Sequence, residues 1–535
     1  MFGDIMQAWD VVVVGSGVAA LRAAIASSDE GATVTVLSSS TASSFADDTV
    51  VGGLSASLGE ATTSEHVADI HRIGADLCES DVVTSVASSA IEHLAELEKW
   101  GLNLRRDRNG APHLAKLPGQ SNARTASTGD STLRETRTIL QEQCMKRNIP
   151  IRGDIEIIDI VIHNGNANGL IALDIQTGEI IGIQSKSIVL AGSGFQSAWN
   201  GDGSAMGGAA NLALRSGIPL ANLEFTSMHP LSVSDTNLQL PLDLLGSGGV
   251  VNGNDGQPLA MDDGPDALSQ AIISAGGGSL DLSGLSPIDE PWFAGIATNL
   301  QSRCGIDISQ ESIPLSPRAG PSIGGVPINA AGSVVNGSWD SSIQGLFAAG
   351  DAACSGLYGA AMNSGDHLLG SITSGMTAGQ SAAIHARTSK HSSSSLISVV
   401  LSTAHHDYDA HLSNAGSDGV SYGAIRSKLS ITMQKHMGPT RDAAGLAMAA
   451  ADIQNLQDLE LSIRDSSPVM NTEIVSVMQT KGLLTVSAAA VSAALAREES
   501  RGAHIRSDHP ESDPDQANHS LSSIDGTVTT LPLRS

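Results

Sequence analysis

The fold of this chain follows from its first apolar run, Val11-Val12-Val13-Val14-Gly15-Ser16-Gly17-Val18-Ala19-Ala20. Four β-branched residues that run into a glycine are typical of a buried parallel strand. An alanine-rich helical pattern follows over residues 17–28, and Thr-Val-Thr-Val-Leu at 33–37 predicts the second strand of a βαβ unit. Gly15, Gly17 and Ala20 have the spacing that lets a tight turn and a helix N-terminus approach a pyrophosphate. The stretch therefore predicts a dinucleotide site.

A second glycine-rich segment, Gly345-Leu346-Phe347-Ala348-Ala349-Gly350-Asp351, lies far downstream. It is typical of a strand that ends in a glycine and an acid, and Asp351 is placed there to meet a ribityl hydroxyl. Together the two segments predict one FAD site that is closed by a discontinuous domain. The acid that usually ends the second strand and binds a ribose hydroxyl is replaced by Ser38, whose hydroxyl is a weaker partner.

Composition narrows the classes of protein. A length of 535 residues predicts two to four domains, and a net charge of −27 argues against nucleic acid, whose phosphates need Lys and Arg. No apolar run reaches the roughly 18–20 residues of a membrane span. We also find no secretory signal, and the four cysteines form no CxxC pair. These features predict a cytoplasmic protein that has no direct membrane span and no metal site of its own.

Shifts in composition predict the domain organisation. A stretch rich in Gly, Ser, Asp and Pro interrupts the α/β pattern, a serine run looks like an exposed linker, and an alanine-rich part without a strand pattern follows. We expect an FAD-binding domain over 1–225 and 326–387, a capping domain over 226–325, a linker over 388–419, a helical domain over 420–513 and a poorly ordered polar tail over 514–535.

Several motifs along most of the chain resemble the flavoprotein subunit of the succinate dehydrogenase and fumarate reductase family, which also includes L-aspartate oxidase. They are GSGVAALRAA at the N-terminus, VVGGLSASLG, NGDGSAMGG, EFTSMHP, GGVP, GLFAAGDAAC, MQKHMGPTRDAAGL and REESRGAH at 497–504. The last segment is the most specific, and it resembles the dehydrogenase and reductase branch more than the oxidase branch. Without the resemblance, Arg501 and His504 in it would be interpreted as intramolecular packing and ion-pairing residues.

The resemblance implies an α/β fold: a Rossmann-type FAD-binding domain interrupted by a mobile cap and followed by a helical domain. It implies hydride exchange between FAD and a small dicarboxylate, with electrons passed to a separate iron–sulfur subunit. Such a subunit would hold the chain at the inner face of the cell membrane. The residues that we expect at FAD are Gly15, Gly17, Ala20, Ser38, Gly52, Gly53, Gly192, Asp202, Gly350, Asp351, Leu368 and Leu369.

The chain departs from the family where the substrate would bind. His229 matches the first of two substrate histidines, but Gly320 stands at the place of the second. Of the two substrate arginines, one falls at Met362 and the proton-shuttling one near Gly264-Pro265-Asp266, so both are missing. A Thr-Glu pair becomes Pro241-Leu242, and the histidine that carries covalent flavin falls near Ala46, so we expect FAD to be bound non-covalently.

The charge of the expected cap also argues against a dianionic substrate, and this argument does not depend on the family resemblance. The expected cap, residues 226–325, has two cations, Arg303 and Arg318, against eleven acids, and such a surface repels a dianion. We therefore take His229, Arg318 and His367 as the catalytic candidates. His229 would polarise or bind the substrate and Arg318 would bind a carboxylate.

Two other functions stay open. One is a soluble enzyme like L-aspartate oxidase, without an iron–sulfur partner, against which the REESRGAH segment argues. The other is a divergent flavin-binding protein that acts on a neutral or cationic substrate, or on none, and the missing arginines favour it.

Overall fold

A computed structural model describes residues 6–40, 52–413, 415–416 and 418–534. Ala46, the position matched to the flavin-linking histidine, lies outside the described residues. The α-helices of the described residues are α1 (Val18–Asp29), α2 (Glu60–Ile73), α3 (Ser80–Trp100), α4 (Thr132–Lys146), α5 (Ser197–Asn200), α6 (Gly208–Arg215), α7 (Gly264–Ser274), α8 (Ala294–Asn299), α9 (Asp366–Thr388), α10 (Ser394–Ser413), α11 (Tyr422–His436), α12 (Ala443–Gln457) and α13 (Thr472–Ala496).

The β-strands of the same residues vary from two to twelve residues in length. They are β1 (Met6–Val14), β2 (Val34–Leu37), β3 (Leu54–Ser55), β4 (Leu114–Ala115), β5 (Thr125–Ala126), β6 (Ile151–Arg152), β7 (Ile155–His163), β8 (Asn166–Asp174), β9 (Glu179–Leu190), β10 (Leu220–Ala221), β11 (Thr226–His229), β12 (Val250–Gly253), β13 (Gly278–Asp281), β14 (Ile313–Leu315), β15 (Arg318–Ser322), β16 (Val326–Pro327), β17 (Ser333–Val335), β18 (Ser342–Ala348), β19 (Ala353–Cys354), β20 (Thr440–Arg441), β21 (Ile505–Arg506), β22 (His519–Ser522) and β23 (Val528–Leu531).

An eight-stranded sheet with the order β17-β18-β8-β9-β1-β2-β6 lies at the centre, with β7 paired to β8. The strands β2, β1, β9 and β18 run parallel, and their register places Leu37, Val14, Leu190 and Ala348 side by side. The carboxyl ends of these four strands therefore meet at one edge, where ligands bind in open α/β sheets. This sheet, with α1 and α9 packed on it, confirms the predicted Rossmann-type α/β fold.

The segment between β11 and β15 has an apolar core of its own. Nineteen buried residues form this cluster, and all but Ala115 and Leu117 lie between Leu231 and Leu315. The sheet β12-β13-β14 and the helices α7 and α8 surround it. On the basis of this separate core we propose that residues 226–325 form the capping domain.

The expectation that residues 388–419 form an exposed linker is wrong, because helix α10 occupies most of this range. Ile397, Leu401, Ala404 and Tyr408 are buried and follow each other at three- and four-residue steps, which places them on one face of the helix. That face packs on the sheet in one cluster with residues of β8 and β9 such as Ile171. The serine run is only the approach to this helix.

The expected disorder after residue 513 is also wrong. Strand β22 pairs with β10 of the FAD-binding part and with β23, so the tail closes a three-stranded sheet. Leu521 and Leu531 are almost fully buried in a small cluster with Ala221 and Cys354. The tail is ordered because its polar residues find buried partners: Ser520 Oγ donates to Glu224 Oε2 at 2.7 Å.

The REESRGAH segment forms a buried ionic network. Arg497 donates from Nε to Glu224 Oε1 at 2.7 Å and from Nη1 to Glu499 Oε1 at 2.9 Å, and Arg501 donates to the same Glu499 oxygen at 2.8 Å. The His504 ring contacts Arg441, and burial followed by the neighbouring Arg441 holds the pKa of His504 well below its usual range. These contacts tie the C-terminal part to the FAD-binding part, so the segment has a structural role here.

Helix α13 is long and apolar enough to cross a membrane by length and composition. However, 67% of its most apolar window is buried inside the protein, where it packs on α12 and α6. This burial is typical of a core helix in a folded domain.

Candidate functional site

The turn between β1 and α1 is built for a close approach of two backbones. Gly15 has φ of +122°, and a Cβ at this position would lie 2.1 Å from the carbonyl oxygen of Ala191, which follows β9. Gly17 is the N-cap of α1, has no side-chain cap, and has open space where a Cβ would stand. The first N–H groups of α1 therefore have no capping side chain, as an anion site requires.

A cavity of about 490 Å³ lies over this turn. It runs along the carboxyl ends of β1, β2 and β9 and reaches the first turns of α13. Of the residues predicted to contact FAD, six line the cavity: Gly15, Gly17, Ser38, Gly192, Gly350 and Asp351. Glycines at the strand ends, an uncapped helix N-terminus and hydroxyl and carboxyl groups around one cavity fit a flavin dinucleotide. These residues would hold its pyrophosphate, its adenosine and its ribityl chain.

The other predicted contacts have packing roles in the structure. Ala20 is fully buried on α1, and Leu368 and Leu369 are buried in the same apolar cluster. Gly53 allows the chain to cross closely over β5, because a Cβ there would lie 2.3 Å from the Ala126 oxygen. A Cβ at Gly52, where φ is +120°, would lie 3.0 Å from Leu117 Cδ1.

Asp202 is engaged within its own loop. Its Oδ1 accepts hydrogen bonds from Ser197 Oγ at 2.8 Å and from Ser204 N at 3.1 Å. It is not among the described residues that line the cavity, whereas its neighbours Gly203 and Ser204 are. We infer that Asp202 shapes the loop that borders the cavity.

The three catalytic candidates do not meet. His367 lines the large cavity, where its Nε2 lies 2.6 Å from Asp351 Oδ1. Burial lowers the pKa of His367, but the charge and hydrogen bond of Asp351 outweigh it, and the net shift is upward. His367 and Asp351 therefore form a pair at the predicted FAD site, away from His229.

His229 and Arg318 stand opposite each other in the ladder of β11 and β15, yet their side chains have different surroundings. The Arg318 guanidinium donates to Thr236 O and Asn237 Oδ1, each at 2.6 Å. His229 is buried, its Nε2 lies 2.8 Å from Leu240 O, and burial lowers its pKa to about 4. The imidazole is therefore neutral at physiological pH, with Nε2 as the donor and Nδ1 as a free acceptor among the described residues.

A small cavity of about 10 Å³ adjoins His229, which is room for one water molecule. Neither lysine nor arginine occurs among the described residues that line it: Ser227, Met228, His229, Leu242, Pro265, Pro321, Met362, Asn363 and Ser364. Arg318 is absent from this set. The place where the family resemblance implies paired cations is thus lined by neutral side chains.

A buried carboxyl group, that of Asp266, lies next to this place. Asp266 Oδ1 accepts from the Met228 amide at 2.5 Å, while its Oδ2 has no hydrogen-bond partner among the described residues. Burial raises the pKa of Asp266 to about 7. The surroundings of His229 therefore oppose further negative charge.

Some residues of the large cavity were not predicted. Arg137 on α4, Glu156 on β7 and Gln479 on α13 all line it. The sequence does single out Glu156, because it is an acid within the isoleucine run Ile155-Glu156-Ile157-Ile158. No sequence pattern indicated Gln479, because helix α13 reaches the cavity only through the tertiary fold.

Comparisons with protein families match two parts of this chain. The family described as FAD binding domain matches residues 10–368, about two thirds of the chain. The family described as fumarate reductase flavoprotein C-term matches residues 426–533.

Curated relatives align over nearly the full length. The succinate dehydrogenase flavoprotein subunit of Rickettsia bellii is 28% identical, covering 98% of this chain and 94% of the relative. The fumarate reductase flavoprotein subunit of Mycobacterium tuberculosis is 29% identical, with 94% and 92% coverage.

Solved structures share the fold. A variant of E. coli quinol fumarate reductase superimposes with a TM-score of 0.90 at 24% identity, covering 98% of this chain and 96% of that one. The Mycobacterium smegmatis Sdh1 complex gives a TM-score of 0.83 at 22% identity, with 99% and 95% coverage.

Replacing Asp266 tests the electrostatics around His229. Asp has an unfolded pKa of 3.8 and Asp266 a folded pKa of about 7, so the folded state keeps a proton that the unfolded state loses, and stability falls as pH rises through this range. Asp266→Asn removes that fall. In thermal unfolding, we expect the free energy of unfolding of the variant to increase relative to that of the wild type as the pH rises from 4 to 8, by at most about 4 kcal/mol.

The matched control is Asp263→Asn, three residues away, whose carboxylate is 86% exposed. Its unfolding midpoint should follow the wild type at every pH. An Asp266→Asn profile parallel to that of the wild type would mean that Asp266 is ionised normally in the folded state.

Proposed function

We propose a function from one premise: this chain belongs to the FAD-dependent flavoprotein family of succinate dehydrogenases and fumarate reductases. It is a FAD-dependent oxidoreductase, and FAD when bound supplies the centre that takes up or releases a hydride. In our proposal the reacting molecule enters between the FAD-binding part and the cap, beside His229. The substrate is an uncharged molecule that carries N–H or O–H donors.

The absence of cations among the described residues around His229 carries this proposal. A dicarboxylate that leaves water loses several kcal/mol of hydration per charge, and this loss has to be offset by cations or by a set of converging N–H donors. Here a dianion would meet a neutral imidazole and the buried carboxyl group of Asp266. L-aspartate carries two carboxylates as well, so the same argument disfavours the oxidase reaction.

His229 binds the substrate in this proposal. Its Nε2–H is already donated to Leu240 O, so Nδ1 is the atom left to accept a hydrogen bond from a neutral donor. The cavity beside it has room for one water molecule, and a larger substrate requires the cap to move away from Met362 and Asn363 of the FAD-binding part. Arg318 stays with Thr236 and Asn237 and takes no part.

The dicarboxylate reaction remains the second candidate, because the curated relatives are named succinate dehydrogenase or fumarate reductase flavoprotein subunits. Their description as subunits also supports transfer of electrons to a separate iron–sulfur subunit, which would place the chain at a membrane surface. Purification of the tagged chain from its own cell tests this partner: iron and acid-labile sulfide should co-purify in proportion to flavin.

Substrate charge is tested with two molecules of the same carbon skeleton. Under anaerobic conditions, succinate should leave the flavin absorbance of the holoprotein unchanged, because the dianion is not admitted. Succinamide, which is neutral and carries amide donors, should perturb the flavin spectrum on titration. Bleaching by succinate at concentrations where succinamide has no effect would establish the dicarboxylate reaction instead.

Adding a cation should restore dicarboxylate binding. The double variant Met362→Arg with Asp266→Asn puts a guanidinium in the small cavity and removes the facing acid. We expect its affinity for malonate, a dianion, to rise about tenfold or more over the wild type. Met362→Gln with Asp266→Asn is the neutral control and should bind malonate no better than the wild type. Equal affinities in the two double variants would contradict the electrostatic argument.

The role of His229 is tested by His229→Gln, which can still donate to Leu240 O but moves the acceptor. The rate of flavin reduction by a neutral substrate should fall about tenfold, the effect of one neutral hydrogen bond. Flavin content should stay the same, which separates this loss from misfolding. An unchanged rate would remove His229 from the site.

A further inference from the structure

The adenosine end of the large cavity lacks the acid that a dinucleotide site usually has after β2. Ser38 stands there, and its hydroxyl is already engaged, at 3.1 Å from Ser16 Oγ and 3.0 Å from Ser40 Oγ. A ribose has two hydroxyl donors, and a carboxylate is the usual acceptor for them. A ribose bound at this end of the cavity would therefore require a carboxylate from another part of the chain.

Glu156 is the carboxylate that stands beside this gap. The amide of Ile155 donates to Ser38 O at 2.9 Å, so strand β7 begins against the end of β2 and Glu156 is its second residue. Glu156 lines the cavity together with Ser38 and Ser39. It thus lies at the end of the cavity where a dinucleotide places its adenosine ribose.

The partners of Glu156 leave part of its acceptor capacity unused. Its Oε2 accepts from Gln479 Nε2 of α13 at 3.0 Å, and the Ser39 side chain is a second donor to its carboxylate. Among the described residues, no Lys, Arg or His forms an ion pair with Glu156. Burial raises its pKa to about 7. A carboxylate in an apolar strand, without a cation and with free lone pairs, is costly unless a ligand supplies donors.

We propose that Glu156 binds the adenosine ribose hydroxyls of FAD, in place of the acid missing at position 38, and that Gln479 holds its carboxylate in position. The acid has moved from the end of β2 to the start of the neighbouring β7. Since Gln479 belongs to α13, the adenosine site spans the FAD-binding part and the C-terminal part.

A purely structural role for Glu156 would make a different prediction. If Glu156 only joined β7 to α13 through Gln479, its loss would affect stability and would be indifferent to the sugar of the ligand. The ribose hydroxyls therefore provide the discriminating probe.

The experiment measures calorimetric affinities of the flavin-free full chain for ADP and for 2′,3′-dideoxy-ADP. The wild type should prefer ADP by about tenfold or more, as expected for hydrogen bonds to a charged acceptor. In Glu156→Leu this preference should disappear, and FAD affinity should fall by a similar factor. Glu156→Gln, which keeps the shape and the bond to Gln479, should retain a reduced preference.

Glu179→Gln, at the exposed start of β9, is the control and should keep the full preference for ADP. A Glu156→Leu protein that still prefers ADP as strongly as the wild type would overturn the proposal. Should Glu156→Leu fail to fold, an unreduced preference in Glu156→Gln would overturn it equally. These assays contain no redox substrate, so their outcome is independent of the substrate proposed for His229.

Discussion

The close approach of Gly15 to the carbonyl of Ala191 is the constraint on which the rest of the molecule depends. It holds the ends of β1 and β9 together, and no side chain fits between them. The second glycine segment meets the same place, because a Cβ on Gly350 would lie 2.6 Å from the Cβ of Ala19 on α1. Two parts of the chain separated by the cap are thereby joined at one edge of the sheet. Helix α9 repeats the pattern along α1, with Gly375 and Gly379 set against its backbone.

Much of this centre could be predicted from the sequence because it is encoded locally. A β-branched run, a glycine turn and an alanine-rich helix are contiguous, and each has one structure that suits it. Helix α10 was missed because its apolar face, from Ile397 to Tyr408, is diluted by serine and histidine. The ordered tail was not predicted because three of the four residues of its strand β22 are polar. Their burial depends on Glu224, which lies almost three hundred residues earlier.

In the candidate site, too, the features encoded locally could be predicted, and those that depend on the tertiary fold could not. The spacing of the glycines at the strand ends is a property of the turn itself, and in the structure these glycines line the large cavity. The pairing of His367 with Asp351, and the retention of Arg318 by Thr236 and Asn237, depend on how loops fold back and leave no trace in spacing. Arginines show the contrast most clearly. Those of the REESRGAH segment are buried and paired with Glu224 and Glu499, whereas the surroundings of His229 contain a buried acid, Asp266. The buried ion pairs that join the C-terminal part to the FAD-binding part are present. Among the described residues that line the cavity beside His229, there is no arginine or lysine to bind a substrate carboxylate.

The cavity over the β1–α1 turn is lined by residues from Val14 to Gln479, so its wall draws on nearly the whole length of the chain. During synthesis, N-terminal parts fold first while later parts are still being made. The turn at Gly15 can form as soon as the first βαβ unit is made, whereas Gln479 of α13 is added more than 400 residues later. The pocket is therefore complete only once α13 has packed against the FAD-binding part, and flavin uptake is a late event in the folding of this protein.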